Sequence, residues 1–255
     1  MQGASGEHVG IRLAESPADM RTLLAVAEAV WGPPAGSMVS PDFLMALAHT
    51  GGYIAIAEQG STAPPEAIGV SFGFLARCGT GIGLHSHITG VVKAHQHRGI
   101  GRRIKQHQRS WALDRGISMI TWTFDPLVRR NGWFNLHRLG ATAEEFHLDF
   151  YGPLGDSING DDPTDRLLAR WDLLSARAIS TEIGPLSPIE PAPNDRTVPT
   201  PVDIVDLRRT DPTAARTWRH RLRSEFEGAF PTGHIIGMTA DGDYVLRPRA
   251  ENSRP

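Results

Sequence analysis

Val91-Val92-Lys93-Ala94-His95-Gln96-His97-Arg98-Gly99-Ile100-Gly101-Arg102-Arg103 joins a β-type run to a long amphipathic segment through a turn with two glycines and three arginines. Glycines at a helix start let backbone amides approach an anion closely. The free N–H groups and positive dipole end of the helix make that position an anion site, and Arg98, Arg102 and Arg103 add charge beside it. A diphosphate fits such a cradle; a tight-packing turn with solvated arginines is the other reading of the same spacing. Two phosphate motifs are excluded. A Walker loop needs Gly-Lys-Ser/Thr where this chain has Gly101-Arg102-Arg103, and a dinucleotide fold needs three spaced glycines near the first strand.

Working outward, the order of elements is legible from periodicity. Val9 to Leu13 reads as a short strand, and Ser16-Pro17-Ala18-Asp19 then supplies an N-cap, a proline at the first helical position and an acid three residues on. Met20, Leu23, Leu24, Ala27, Val30 and Trp31 give one apolar face until Gly32-Pro33-Pro34, and a second helix is predicted from Pro41 to His49. Tyr53 to Glu58, Ala67 to Leu75 and Leu84 to Val92 read as three strands of a meander. Arg98 to Arg115 is a long helix closed by Gly116. Ile117 to Phe124 is a strand, Asn131 to Leu139 a short helix and Ala143 to Tyr151 another strand. Six prolines between 185 and 201 have a linker composition. Beyond them, Thr213 to Phe230 carries Trp218, Leu222 and Phe226 at four-residue spacing, and Asp241-Gly242 joins the arms of a hairpin. That apolar stripe reads as core packing or as a dimer contact, so monomer and homodimer both stay open.

Composition narrows the function classes. The chain has 255 residues, 40% hydrophobic and 21% charged, as an ordinary globular protein does. With 26 basic and 28 acidic residues there is no global field toward nucleic acid or an anionic membrane, so any anion must be held locally. No apolar run approaches the roughly 20 residues of a membrane helix, and residues 1–8 lack signal-peptide features; a cytoplasmic protein is the expectation. A single cysteine, Cys78, excludes an internal disulfide and a multi-cysteine metal site. His85-x-His87 and His95-x-His97 are paired imidazoles, but no acid or cysteine is spaced to complete a closed site, so no metal is expected.

Gln96-x-x-Gly99-x-Gly101 after a strand resembles the Gln/Arg-x-x-Gly-x-Gly/Ala pyrophosphate motif of the GNAT acyltransferase superfamily, and the preceding strand–helix–helix–three-strand order is the GNAT order. The similarity is closer to one branch of predicted acetyltransferases. Its blocks stand here as Ser86-His87-x-x-Gly90-Val91, Trp122-Thr123-Phe124-Asp125-Pro126-Leu127, Arg130-Asn131, Phe134-Asn135-Leu136 and Leu139-Gly140-Ala141. Tyr151-Gly152, Asp156 with Asn159, Asp165-Arg166 and Trp171 continue the pattern, so the blocks cover roughly residues 84 to 175.

The resemblance implies an α/β (α+β) GNAT fold, with a mixed, mostly antiparallel sheet flanked by helices and a C-terminal helix-plus-hairpin extension. It divides the chain into an acyltransferase domain over 8–180, a proline-rich linker over 181–205 and an appended helix and hairpin over 206–250. It implies acetyl-CoA or another acyl-CoA as co-substrate. Val91 and Val92 would bond the acyl-pantetheine arm, Gln96, Arg98, Gly99, Ile100, Gly101 and Arg102 would hold the diphosphate, and Asn131 would touch pantetheine or cap its short helix. His85, Trp122, Asn135 and Arg166 would line the acceptor site, Arg166 by pairing with an acceptor carboxylate.

The family's usual tyrosine, which protonates the leaving thiolate, falls at Leu136 here, so Tyr151, His137 or solvent must substitute, or no acid is needed. Aminolysis also requires a neutral amine, hence a base. His87 is the first choice, with His85 two residues away on the same strand face, and Asp125 orients the amine or acts as base in its place. The function implied is transfer of an acetyl or other short acyl group, succinyl included, to the primary amine of a small metabolite such as an amino acid. A non-catalytic acyl-CoA sensor and another CoA-dependent reaction such as decarboxylation are the rival readings.

Overall fold

The computed structural model describes residues 9–32, 39–60, 64–79, 81–156, 158 and 162–249. Asn159 of the motif pattern, Pro33 and Pro34 of the first helix stop, and positions 8 and 250 at the outer bounds of the expected divisions lie outside the described residues. The chain forms two compact units, Met1–Ile120 and Thr121–Pro255. It is a mixed α/β chain whose strands pair mostly antiparallel, with helices against them.

In the first unit, β1 (Val9–Leu13), β2 (Tyr53–Gln59), β3 (Glu66–Cys78) and β4 (Gly81–Val91) form an antiparallel meander in that order. Helix α1 (Pro17–Trp31) starts as the sequence predicts: Ser16 and Asp19 cap one another reciprocally and Pro17 occupies the first turn. α1 and α2 (Pro41–His49) bury Met20, Leu23, Val26 and Leu44 against Ile54, Ile56, Val70 and Phe72. Helix α3 (Ile100–Leu113) covers the other face, where Ile100 and Ile104 meet Val9, Ala57 and Ile68. Gly116 takes φ +71° just past its end, the left-handed stop the sequence predicts.

β4 is irregular where it matters. Phe72 pairs with Ile88 but Gly73 pairs with Ser86, so His87 is an extra residue that bulges out of the ladder. The bulge exchanges the faces of the strand. Before it, Ser86 meets α3; after it, Ile88 packs with the α1/α2 cluster and Val91 with the α3 cluster. Gly90 is required by close approach, since a Cβ there would lie 2.4 Å from the Trp31 ring.

β5 (Met119–Phe124) is the strand in which one unit gives way to the next. In the second unit, α4 (Arg129–Trp133) continues as one π-helical turn over Phe134–Arg138. β6 (Thr142–His147) pairs antiparallel with β7 (Arg166–Asp172), and α5 (Ala176–Ser180) follows. β6 stops short of Tyr151 because the chain turns there: Asp149 has φ +42°, and Phe150 and Tyr151 both donate backbone N–H to Thr164. A three-stranded sheet takes the order β8 (Arg196–Val198), β10 (Tyr244–Pro248), β9 (Gly233–Met238). The prolines between 185 and 201 therefore flank a strand that pairs with β10. α6 (Ile204–Thr210) and α7 (Pro212–Ala229) lie between β8 and β9, with Ala215, Arg219, Leu222 and Phe226 on the buried face of α7.

Candidate functional site

Within the first unit, β4 carries both features expected of the chemistry. His85 and His87 do share a face: their ring centroids are 6.3 Å apart, and Phe74 lies 5.2 Å from His85 and 5.9 Å from His87. Phe72 adds a contact to His87 at 5.3 Å. Desolvation disfavours the imidazolium form of both. It lowers the pKa of His85 to about 4, helped by the charges of His87 and Lys105, and lowers that of His87. Both rings are therefore neutral at pH 7. His87 is exposed as a residue, and its neutral imidazole, partly covered by Phe72 and Phe74, stands at the bulge. Phe74 also walls an apolar depression lined by Phe43, Leu47, Thr50, Gly52 and Leu75.

At the other end of β4 the chain makes the Gly-rich turn. His97 and Gly99 both adopt positive φ, +64° and +77°, and Gly99 is the residue from which α3 starts. No side chain caps this helix, and the first helical bond closes only at Arg103 N to Gly99 O, 3.1 Å. A Cβ on either Gly99 or Gly101 would meet nothing within 4 Å, so the space over the first turn is open to a ligand. Arg98, Ile100 and Arg103 line a pocket there with Val9 and Gln59. These residues fit a diphosphate. Gln96 folds back instead, its Nε2 donating to the Val91 carbonyl at 2.9 Å, and the Val92 N–H donates to Ile68 O. His95 is tied to Gln59 at 3.0 Å, and among the described residues no group of three or more histidine, cysteine or acidic side chains is placed to hold a metal.

Beneath β4 lies a polar cluster that the motif reading missed. Lys105 Nζ is buried and donates to Ser86 Oγ at 2.8 Å and to Gln108 Oε1 at 3.0 Å. Desolvation lowers its pKa to about 7. The signal was in the sequence: Lys105 directly follows Ile104 in a helix whose inward stripe is set by Ile100, Ile104 and Trp111, where a solvated lysine does not belong.

In the second unit Asp125 is buried at the end of β5 in an ion network. Its Oδ1 accepts from Leu127 N at 2.9 Å and Arg219 Nη1 at 3.1 Å, and its Oδ2 from Arg219 Nη2 at 2.8 Å and Arg208 Nη2 at 2.5 Å. Asp162 shares the same two arginines, and Arg223 holds Asp165 at 2.6 Å. Burial alone would raise the pKa of Asp125, but Arg219 and Arg208 outweigh it and hold the carboxyl well below the usual range. A carboxylate so satisfied is a poor proton acceptor, which corrects the expectation of Asp125 as a base. Arg219 betrayed itself as Lys105 did, being a charge in the buried stripe of α7.

The remaining expected site residues fall in this unit. Tyr151 is partly exposed, its Oη 2.8 Å from Thr123 Oγ1, with the Arg166 guanidinium 5.6 Å from its ring centroid. Arg166 is buried, and Nη1 donates to Asp165 O. Trp122 packs edge-on to Trp171 at 6.2 Å, and Asn135 is buried. Asn131 is exposed in the first turn of α4; the cap position belongs to Val128, so Asn131 is not the N-cap. Leu136 is buried. His137 cannot replace the missing tyrosine, because Nε2 accepts from Met238 N at 2.8 Å and Nδ1 faces Leu186 O at 3.2 Å.

No protein-family model matches the sequence, and no curated protein matches it. Solved structures do. An acetyltransferase assigned to the GNAT family from Desulfovibrio desulfuricans is 19% identical, with a TM-score of 0.50 over 65% of this chain and 99% of its own. The ribosomal-protein-S18-alanine N-acetyltransferase from Escherichia coli is 12% identical, with a TM-score of 0.51 over 66% of this chain and 96% of its own. A NatC complex bound to Gag peptide and CoA gives 11% identity and a TM-score of 0.51 over 65% of this chain and 99% of that one. The chain has the fold of the GNAT acetyltransferases.

Proposed function

We propose that the protein is an acyl-CoA-dependent N-acyltransferase that moves an acetyl or other short acyl group, succinyl included, to the primary amine of a small acceptor such as an amino acid or a derivative. The observation that carries this reading is on β4. A neutral imidazole at the exposed His87 bulge and an uncapped, glycine-opened helix start at Gly99 lie on one continuous segment of the first unit. Bound acyl-CoA supplies the activated acyl carbon and a thiolate leaving group.

The chain's own residues do the rest. The amides at the start of α3, with Arg98 and Arg102, hold the diphosphate, and the glycines keep that approach open. His87 takes the ammonium proton of the acceptor as attack begins, which its neutral state at pH 7 permits. Asp125 positions rather than titrates, anchoring α6 and α7 to the end of β5. Tyr151 is the candidate proton donor to the departing sulfur, while Arg166 is the candidate partner for an acceptor carboxylate. The apolar depression against Phe74 offers a seat for the acceptor's carbon skeleton beside the imidazoles.

Thermal unfolding with CoA, acetyl-CoA and succinyl-CoA tests the cofactor half of the reading. A ligand at 100 times its dissociation constant adds about 2.7 kcal/mol to native stability, so a bound acyl-CoA raises Tm by several degrees. No shift at millimolar ligand contradicts the reading, and the strongest ligand names the donor.

A further inference from the structure

We propose that Lys105 is a positioning residue of the acyl-transfer site: from beneath the sheet, its side-chain nitrogen and the hydrogen bonds around it hold the β4 bulge that presents His85 and His87. The inference rests on the reading of His87 as the base. Its geometric basis is a polar cluster that brackets the bulge. Ahead of the bulge, Lys105 Nζ donates to Ser86 Oγ at 2.8 Å, and Ser86 lies between the two histidines in sequence. After the bulge, Ser71 Oγ lies 2.8 Å from Thr89 Oγ1 and donates to the Ile88 carbonyl at 3.0 Å. Gln108 joins the two halves, accepting from Lys105 at 3.0 Å and reaching Ser71 Oγ at 3.5 Å. One extra residue in a strand leaves its ladder locally disrupted, and here side chains from β3 and α3 supply the hydrogen bonds that fix it.

A buried lysine is a costly way to hold a strand, since a hydrophobic residue of the same volume fills the space without desolvating a polar or charged group. In the acid range where His85 titrates, Lys105 is protonated, and its charge reaches through the strand. Among the described residues, His87 on its own strand and Lys105 on α3 act on the titration of His85, and both favour the neutral imidazole. Ser71, Ser86, Lys105 and Gln108 are all buried, so the cluster is sealed from solvent.

The experiment compares the wild-type protein with Lys105→Met, Ser86→Ala and, as a control for plain core destabilisation, Ile104→Val. Each is measured for Tm, the Tm shift with acetyl-CoA, kcat and KM for the acceptor amine, and the pH at which His85 titrates by NMR. Lys105→Met is expected to stay folded and to keep its acetyl-CoA shift. Its kcat should fall about tenfold or more, as a small misplacement of a reacting group does, with KM little changed. Its His85 should titrate above the wild-type value. Ser86→Ala, which keeps the charge but loses the bond, should lower kcat and leave the His85 titration in place. A Lys105→Met kcat within twofold of wild type overturns the proposal, and so does an equal loss in Ile104→Val. If the wild-type protein acylates no amine at all, the function proposed above has failed. An unmoved His85 titration and unmoved β4 amide resonances in Lys105→Met would then overturn the positioning role separately.

Discussion

Arg219 Nη2 sits 2.8 Å from Asp125 Oδ2, with the guanidinium and the carboxylate both almost wholly buried. The pair ties α7 to the end of β5 across 94 residues of chain. Arg208 and Asp162 complete the arrangement, so two arginines serve two aspartates.

Asp125→Asn removes one charge and leaves both guanidiniums short of a partner. Breaking a buried pair in this way costs about 3–5 kcal/mol. Urea unfolding at pH 7 should show a loss of that size, while kcat of the folded fraction stays within tenfold. A hundredfold loss of kcat with unchanged stability would restore Asp125 as the base.

His87→Ala should lower kcat by about 10²–10⁴, the usual contribution of a positioned base, and leave the acetyl-CoA Tm shift intact. Because desolvation lowers the His87 pKa, the acid limb of the wild-type rate profile should fall below pH 6.5, the ordinary histidine value. Unchanged turnover in His87→Ala removes the assignment.

Gly99 and Gly101 separate backbone strain from ligand access. Gly99→Ala places a side chain at φ +77° and should cost about 1–2 kcal/mol of stability. Gly101→Val faces open space in the protein, so it should spare most of the stability and weaken acetyl-CoA binding by tenfold or more as a steric block at the diphosphate. Equal affinity in Gly101→Val would mean that the anion does not sit there.

His137 gives the fold an acid-sensitive point. Its Nε2 accepts the Met238 N–H, and desolvation lowers its pKa. The unfolded chain therefore binds the proton more tightly, so stability is fully present above about pH 6.5 and is lost as pH falls below it. The difference in unfolding free energy between the wild-type protein and His137→Gln should shrink from pH 8 to pH 5. A constant difference would show that this ring titrates alike in the native and unfolded chains, with no lowering by burial.

Much of this was legible in the sequence because it is local. The Ser16 capping box, the Gly116 stop, the Asp241-Gly242 hairpin and the Gly-rich start of α3 each depend on residues within a few positions. The side-by-side histidines followed from strand periodicity alone. What escaped depended on partners far along the chain. Asp125 looked like a free carboxylate because Arg208 and Arg219 come 83 and 94 residues later. β7 begins at Arg166, whose motif role drew the reading away from its strand pattern, and β8 hides among prolines because its partner β10 is 46 residues on. The bulge at His87 has no sequence mark; it is a matter of register between β3 and β4.

The most direct measurement is release of free CoA thiol from acetyl-CoA in the presence of a panel of primary amines, run on the wild-type protein and on His87→Ala. Thiol release should depend on at least one amine, saturate with it, and fall at least a hundredfold in His87→Ala. Release independent of any amine, or none from a protein that binds acetyl-CoA, would contradict N-acyl transfer as the function of this chain.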